Sequence, residues 1–463
     1  MFCDKAISAR IATHFAELTH DALSEATRHA TRRALLDAVG VTLGATGLGE
    51  DAAPYRRHAE ATPGPSRLIG FDGSSTPALA ALANGALAHQ LDFGDTFDAG
   101  PAHPNAALVP ALLALADAWS SLAFGEFLVA MAAGSDLACR LSIAAPRPFE
   151  EGGWYPPPLV NLIATAAACA RFIGLDADGI RHAMGLALLQ GSFPSEMKYD
   201  ATSPIRGVRE GLVARAAVEA ALLADAGATA FAEPLEGRAG FFAIYGGGAP
   251  RDVLLDGLGK RFLGDQVSFK PWPACRGTHP YIEAALVLRE RIDSARVVRI
   301  EAETGPIQEM LIRPQPVKAE PSRAIEAKFS IPYTVAAALI DGAVTLDSFA
   351  AARIADPATR TLAHNVVERR NPDWGRSEAA SGSLTVMLDD GTTLTHGVMQ
   401  AAGHPDRPMD DESLIAKFVD CAAHAAQPIA PDSARTLALR ILGFPAERPA
   451  HTLIDQAACT AKV

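Results

Sequence analysis

TPALAALANGALAHQLDFGDTFDAGPAHPNAALVPALLALADAW, residues 76–119, decides the fold. Both flanks are rich in alanine and leucine and apolar nearly all round. A surface helix carries one apolar stripe, whereas a helix apolar on every side belongs inside a bundle, where small side chains let axes approach closely. The joint between the flanks packs Asp92, Asp95, Thr96, Asp98 and His103 into one Gly/Pro-broken connection. Three acids, a hydroxyl and an imidazole make poor core material. Loops held by rigid helices are a common seat of function.

Working outward, residues 21 to about 250 read as helix after helix, with Gly and Pro at almost every join. The first of these is expected to open on Asp21 as N-cap and to stop at Gly44–Gly47. An amphipathic N-terminal helix precedes it, with Phe2, Ile7, Ile11, Phe15 and Leu18 on one face. From about 260 to 400 the texture changes. ARVVRIEAET (295–304) alternates like a strand, and SGSLTVMLDDGTTLTHGV (381–398) forms two β-rich runs around Asp389–Asp390–Gly391, a hairpin signal. Helices are expected at 279–291 and 333–341, and helix returns at 410–425 and 433–442. The expectation is a mainly α protein: a large all-helical bundle domain, discontinuous in sequence (1–266 and 405–463), with an inserted smaller α+β domain (267–404).

Composition excludes several classes. The 463 residues are 49% hydrophobic and 20% charged, which is an ordinary globular balance. A net charge of −12 argues against nucleic acid or an anionic membrane as partner. The N-terminus has no apolar signal core, and no uninterrupted apolar run is long enough to span a membrane. Cys3, Cys139, Cys169, Cys275, Cys421 and Cys459 lie far apart without ligand spacing, as expected of reduced, cytoplasmic thiols. Thirteen histidines are too scattered for a zinc motif, so no metal set stands out. Dinucleotide, Walker A, H-E-x-x-H and G-x-S-x-G signatures are all missing.

Two histidine–proline pairs carry the chemistry that remains. His103–Pro104 and His279–Pro280 each stand at a predicted helix start, and Tyr155 precedes Pro156–Pro157–Pro158 in the same way. Proline suits the first helical turn, while the residue before it is pushed out of the helix. Such a side chain stands at the helix mouth, where unpaired N–H groups favour an anion. KPWPACRGTHP (270–280) adds Lys270 and Arg276, and the loop SEMKYDATSPIRGVREG (195–211) adds Lys198, Arg206 and Arg209. These are clamps for carboxylate or phosphate as readily as a surface basic patch. KFSIPY (328–333) sets Lys328, Ser330 and Tyr333 ahead of an apolar helix.

Four segments together resemble the MmgE/PrpD family: NGALAHQLDFGDTFDAGPAHPNA, the Arg206–Gly211 loop, KPWPACRGTHPYIEAALVL and AKFSIPYTVAAALIDGAV. The resemblance runs over nearly the whole chain. It implies a helical domain with a smaller α+β lid, an active site between them, homodimers, and chemistry without metal or organic cofactor on a small anionic carboxylate substrate. Asp92, Thr96 and His103 match the family's D-[FY]-x-D-T…HP stretch, His279 its second histidine and Tyr333 the tyrosine after F-S. Tyr155 stands where the cis-aconitate decarboxylases have histidine, Arg206 about where many members have lysine, and Gly94 replaces a common acid. The implied function is a lyase, a dehydratase or decarboxylase of a di- or tricarboxylate. His103 and His279 would be base and acid, Tyr155 a third proton donor, and Asp92 the group that orients an imidazole. Thr96, Lys198, Arg206, Arg209, Lys270 and Tyr333 would bind substrate. A two-base epimerase of an iminodisuccinate-like dicarboxylate and a non-catalytic organic-acid binder are the alternatives.

Overall fold

The computed structural model describes residues 6–200 and 203–453; Phe2, Cys3 and Cys459 lie outside the described residues. The chain divides into two compact units, Met1–Val267 with Asp410–Val463, and Ser268–Met409. Helix dominates and the sheets are small, so the protein is mainly α.

In the first unit, the helix Ile7–Glu17 buries Ile11 and Phe15. The next helix runs Glu25–Leu48, not from Asp21. Asp21 sits in a short 3-10 turn, and Ser24 is the cap, its Oγ accepting from the Thr27 amide at 3.0 Å. Nor do Gly44 and Gly47 end this helix. They face the returning helix Asp411–Ala423 and the residues just after it, and a Cβ at Gly47 would come within 2.2 Å of the His424 carbonyl oxygen. Glycine there permits close packing and leaves the helix intact.

The same device operates at the centre of the unit. The helices Pro77–Gln90 and Ile205–Asp225 cross at Gly85 and Gly211, where a Cβ on Gly211 would lie 2.3 Å from the Leu82 carbonyl oxygen. That crossing brings Arg209 and Glu210 beside the helix that carries His89. The helices Asn105–Ala118, Phe124–Ala144 and Pro156–Phe172 complete the bundle. Phe124–Ala144 is the one described helix long and apolar enough to cross a membrane. Of its most apolar stretch, 94% is buried. Its Arg140 pairs with Asp136 at 2.7 Å and donates to the carbonyls of Val253, Leu254, Asp256 and Arg261. These contacts make it a core helix of the bundle.

The second unit is built on a four-stranded sheet in the order 366–370, 297–304, 382–388, 393–398, with the first pair parallel and the others antiparallel. The hairpin turns at Asp389–Gly391 as expected, with Gly391 at φ 85°. The helices His279–Arg289 and Ile331–Asp341 share one core with the sheet through Tyr281, Leu288, Val335, Ile300 and Val386.

Candidate functional site

The joint between Pro77–Gln90 and Asn105–Ala118 is buried, although it is polar. Asp92, Asp95 and Thr96 are all buried and His103 is half-buried. Asp92 has φ 48°, the one left-handed non-glycine residue among those described, which turns the chain sharply off the helix end. His103 Nδ1 lies 2.9 Å from the Asp95 carbonyl oxygen. His89, one turn before Asp92, places Nε2 3.7 Å from Asp92 Oδ1, and its ring centroid is 4.8 Å from that of His103. Thr96 Oγ1 reaches back to the Ala102 carbonyl at 3.4 Å. One atom from each of His89, Asp92 and His103 lies within 4.8 Å of the other two, so these three residues are the ones able to hold a metal ion among those described.

A buried charge network holds the joint. Lys417, from the returning helix, bonds the Phe93 carbonyl at 2.6 Å and pairs with Asp37 at 2.6 Å. Asp95 Oδ2 accepts from Asn105 Nδ2 at 2.7 Å. Burial, with a smaller push from Asp37, lifts the Asp95 carboxyl to about 7.

Tyr155 caps the helix Pro156–Phe172 and is buried. Three of the expected cations gather over its ring: Arg209 at 4.9 Å, Lys198 at 5.2 Å and Arg206 at 6.0 Å. Arg206 and Arg209 are not on a loop, as the sequence suggests, but in the first turns of Ile205–Asp225. That helix begins directly after Pro204, so proline starts it earlier than the apolar pattern does. Arg209 pairs with the buried Glu210 at 3.2 Å, and burial raises the Glu210 carboxyl against the pull of Arg209 and Asn161. Asn161 ties the two halves together by donating to the His103 carbonyl at 2.9 Å and to Glu210 Oε2 at 3.1 Å.

The remaining candidates belong to the second unit. His279 is fully buried and is itself the first residue of its helix, at φ −58° and ψ −44°, not pushed out ahead of it. A 3-10 turn, Arg276–Thr278, already supplies helical geometry upstream and overrides the effect of Pro280. His279 Nε2 faces the Ala274 carbonyl at 3.1 Å and Nδ1 faces Arg276 Nη1 at 3.4 Å. Arg276 in turn donates to the carbonyls of Ala402 and Ala401 at 2.8 and 3.2 Å. Lys270 is buried. Tyr333 is fully buried and donates its hydroxyl to the Ser348 carbonyl, and burial pushes that hydroxyl up to about 12.

His89, Asn161, Glu210, Asp37 and Lys417 escape the sequence reading. Each is a polar residue in an otherwise apolar helical run, and that was the available signal, because unpaired charge is rarely buried.

Comparison with known proteins bears on this arrangement. The MmgE/PrpD N-terminal domain model matches residues 9–253 and the MmgE/PrpD C-terminal domain model residues 272–438. The chain is 29% identical to a cis-aconitate decarboxylase of Homo sapiens over 460 residues, 94% of this chain and 90% of that one. It is 23% identical to a cis-aconitate decarboxylase of Aspergillus terreus over 381 residues, 77% and 76% of the two chains. A 2-methylcitrate dehydratase of Salmonella typhimurium matches at 27% over 390 residues, 77% of each. The two domain models together cover most of the sequence, including the Asp92–His103 joint, the Tyr155 cluster and His279, and on that ground the chain belongs to the MmgE/PrpD family.

Proposed function

We propose that this chain is a lyase that removes water or carbon dioxide from a small di- or tricarboxylate, with His103 moving a proton at a carbon next to a carboxylate. The tautomer of His103 carries this proposal. A carbonyl oxygen only accepts, so Nδ1, 2.9 Å from the Asp95 carbonyl, holds the ring proton and Nε2 holds the lone pair. With that tautomer the imidazole is equipped to act as a base.

In a dehydration, Nε2 takes the proton from carbon, the C–H electron pair becomes the new double bond, and the hydroxyl group leaves as water after gaining a proton. In a decarboxylation, carbon dioxide leaves, its bonding pair stays on carbon, and Nε2, having first taken a proton from solvent, supplies the proton that quenches the carbanion and returns to its neutral form. Positioned proton transfer of this kind contributes about 10²–10⁴-fold. Lys198 and Arg206, half-buried over the Tyr155 ring, suit the substrate's carboxylates and the enolate-like charge of the transition state. Arg209, buried against Glu210, positions that pair. Thr96 and Asp92 flank the base. Within the second unit, His279 faces the Arg276 guanidinium and is a positioning residue for it. The names of relatives matched over most of both chains, decarboxylase and dehydratase, support the reaction class.

The test is a panel of polycarboxylates incubated with the protein in D₂O and followed by proton NMR. A lyase gives alkene signals and net product. Deuterium washed into recovered substrate without net product would replace the proposal with an epimerase. A thermal shift with neither would replace it with a binder.

A further inference from the structure

We propose that His89, Asp92 and His103 form a binding site for a borderline divalent transition metal, with zinc as the representative ion, and that the metal silences the protein by occupying the lone pair of His103. Two imidazoles and one carboxylate form a donor set that zinc accepts, with the remaining position left to water. All-oxygen ions such as calcium and magnesium are poorly served by it.

Several features separate this cluster from a chance meeting of polar side chains. One donor atom from each residue lies within 4.8 Å of the others. Tetrahedral ligands at zinc bond lengths stand roughly 3.3 Å apart, so the widest pair has to close by about 1.5 Å, a side-chain movement. His89 Nε2 and Asp92 Oδ1, at 3.7 Å, are nearly at that spacing already. The Asp95 carbonyl on His103 Nδ1 is the outer hydrogen bond that metal-bound histidines usually have, and it directs Nε2 as ligand. His89 and Asp92 are 3% and 2% exposed, while His103 is half-buried. The left-handed φ of Asp92 holds the carboxylate in place at a backbone cost, and strain of that kind collects at functional sites.

The binding half of this inference stands on the cluster alone, whereas the silencing half rests on the lyase proposal. Full-length protein is stripped with a chelator and titrated with zinc against a chromophoric zinc indicator, as wild type, Asp92→Asn and His89→Gln. Asparagine tolerates positive φ and matches aspartate in size, so Asp92→Asn removes the charge without refolding the turn. One equivalent of zinc is expected to bind wild type, with affinity lowered at least tenfold in both variants and thermal unfolding little changed in Asp92→Asn. No saturable binding, or affinity equal in all three proteins, as when the ion sits on cysteines, would overturn the site. Turnover of wild type should fall in step with zinc occupancy and return with chelator; activity unchanged at full occupancy would overturn the silencing. If no polycarboxylate turns over even in chelator, the lyase proposal and the silencing built on it fail together, and the titration still decides the metal site.

Discussion

Residues 103–104 and 279–280 are the same dipeptide, each at the start of an apolar helix, and the structure gives them opposite environments. His103 stands ahead of its helix, half-buried, with Nδ1 on a carbonyl and Nε2 carrying the lone pair. His279 lies inside its helix, fully buried. There Nε2 donates to the Ala274 carbonyl, and Nδ1 can only accept from the Arg276 guanidinium. One ring meets a backbone carbonyl of the joint through Nδ1, while the other meets a carbonyl through Nε2 and a guanidinium through Nδ1, both within its own unit. The dipeptide marks where a helix begins. What the imidazole does is set by the preceding turn: a left-handed Asp92 and a buried polar joint in one case, a 3-10 turn in the other.

The largest effect is expected at the first of these. His103→Asn keeps a donor for the Asp95 carbonyl and loses the base. Turnover should fall by about 10²–10⁴-fold while thermal unfolding stays near wild type. Turnover within tenfold of wild type would break the contrast.

The Asp92–His103 joint also rests on a buried ion pair, Lys417 with Asp37. Lys417→Met leaves Asp37 buried without its ammonium and the Phe93 carbonyl without its donor. Breaking one side of such a pair costs about 3–5 kcal/mol, so a drop of that size in urea unfolding is expected. A cost under about 1 kcal/mol would mean that the joint is held by apolar packing alone.

Much of this was legible in the sequence, for identifiable reasons. Apolar helices announce a bundle, and the alternation at 295–304 with the Asp389–Gly391 turn announces the hairpin sheet, because period and turn chemistry are local. The Asp92–His103 joint was legible because a dense polar segment between buried helices has no packing explanation. Gly44 and Gly47 misled, since a glycine that admits a neighbouring backbone resembles one that ends a helix. Lys417 and Asp37 were invisible as a pair: 380 residues of sequence separate Asp37 from its partner, and nothing local reports that contact. Arg206 and Arg209 were found as cations, but their convergence on Tyr155 depends on a helix crossing that only the fold reveals.

A smaller effect should sharpen the contrast from the other side. His279→Gln preserves a donor for the Ala274 carbonyl and loses the acceptor for Arg276, whereas His279→Ala loses both. Leaving buried partners unsatisfied costs about 1–3 kcal/mol, so urea unfolding should weaken by that much in the alanine variant and by less in the glutamine variant. Glutamine should also restore most of any lost turnover, as a positioning role requires. If His279→Gln is as inactive as His103→Asn while fully stable, His279 moves a proton itself and the two histidines are equals after all.

The smallest expected effect lies in the pH dependence of stability, and it too belongs to the joint. The fold lifts the Asp95 carboxyl from 3.8 to about 7, chiefly by burial, so the native state holds this proton more tightly than the unfolded chain does. Stability from this group is therefore fully present below pH 3.8 and is lost as pH rises through about 7. Asp95→Asn mimics the protonated acid and keeps an acceptor for Asn105, so it should flatten the decline in Tm between those limits and leave the variant the more stable protein above pH 7. A slope unchanged in Asp95→Asn would trace the decline to another group. Because the Asp95 carbonyl also holds His103 Nδ1, any shift in the pH profile of turnover that accompanies the flattening would tie the acid's ionisation to the seating of the base. In the second unit, neither Ala274 nor Ala402, which receive the bonds of His279 and Arg276, has an ionisable side chain through which such coupling could run.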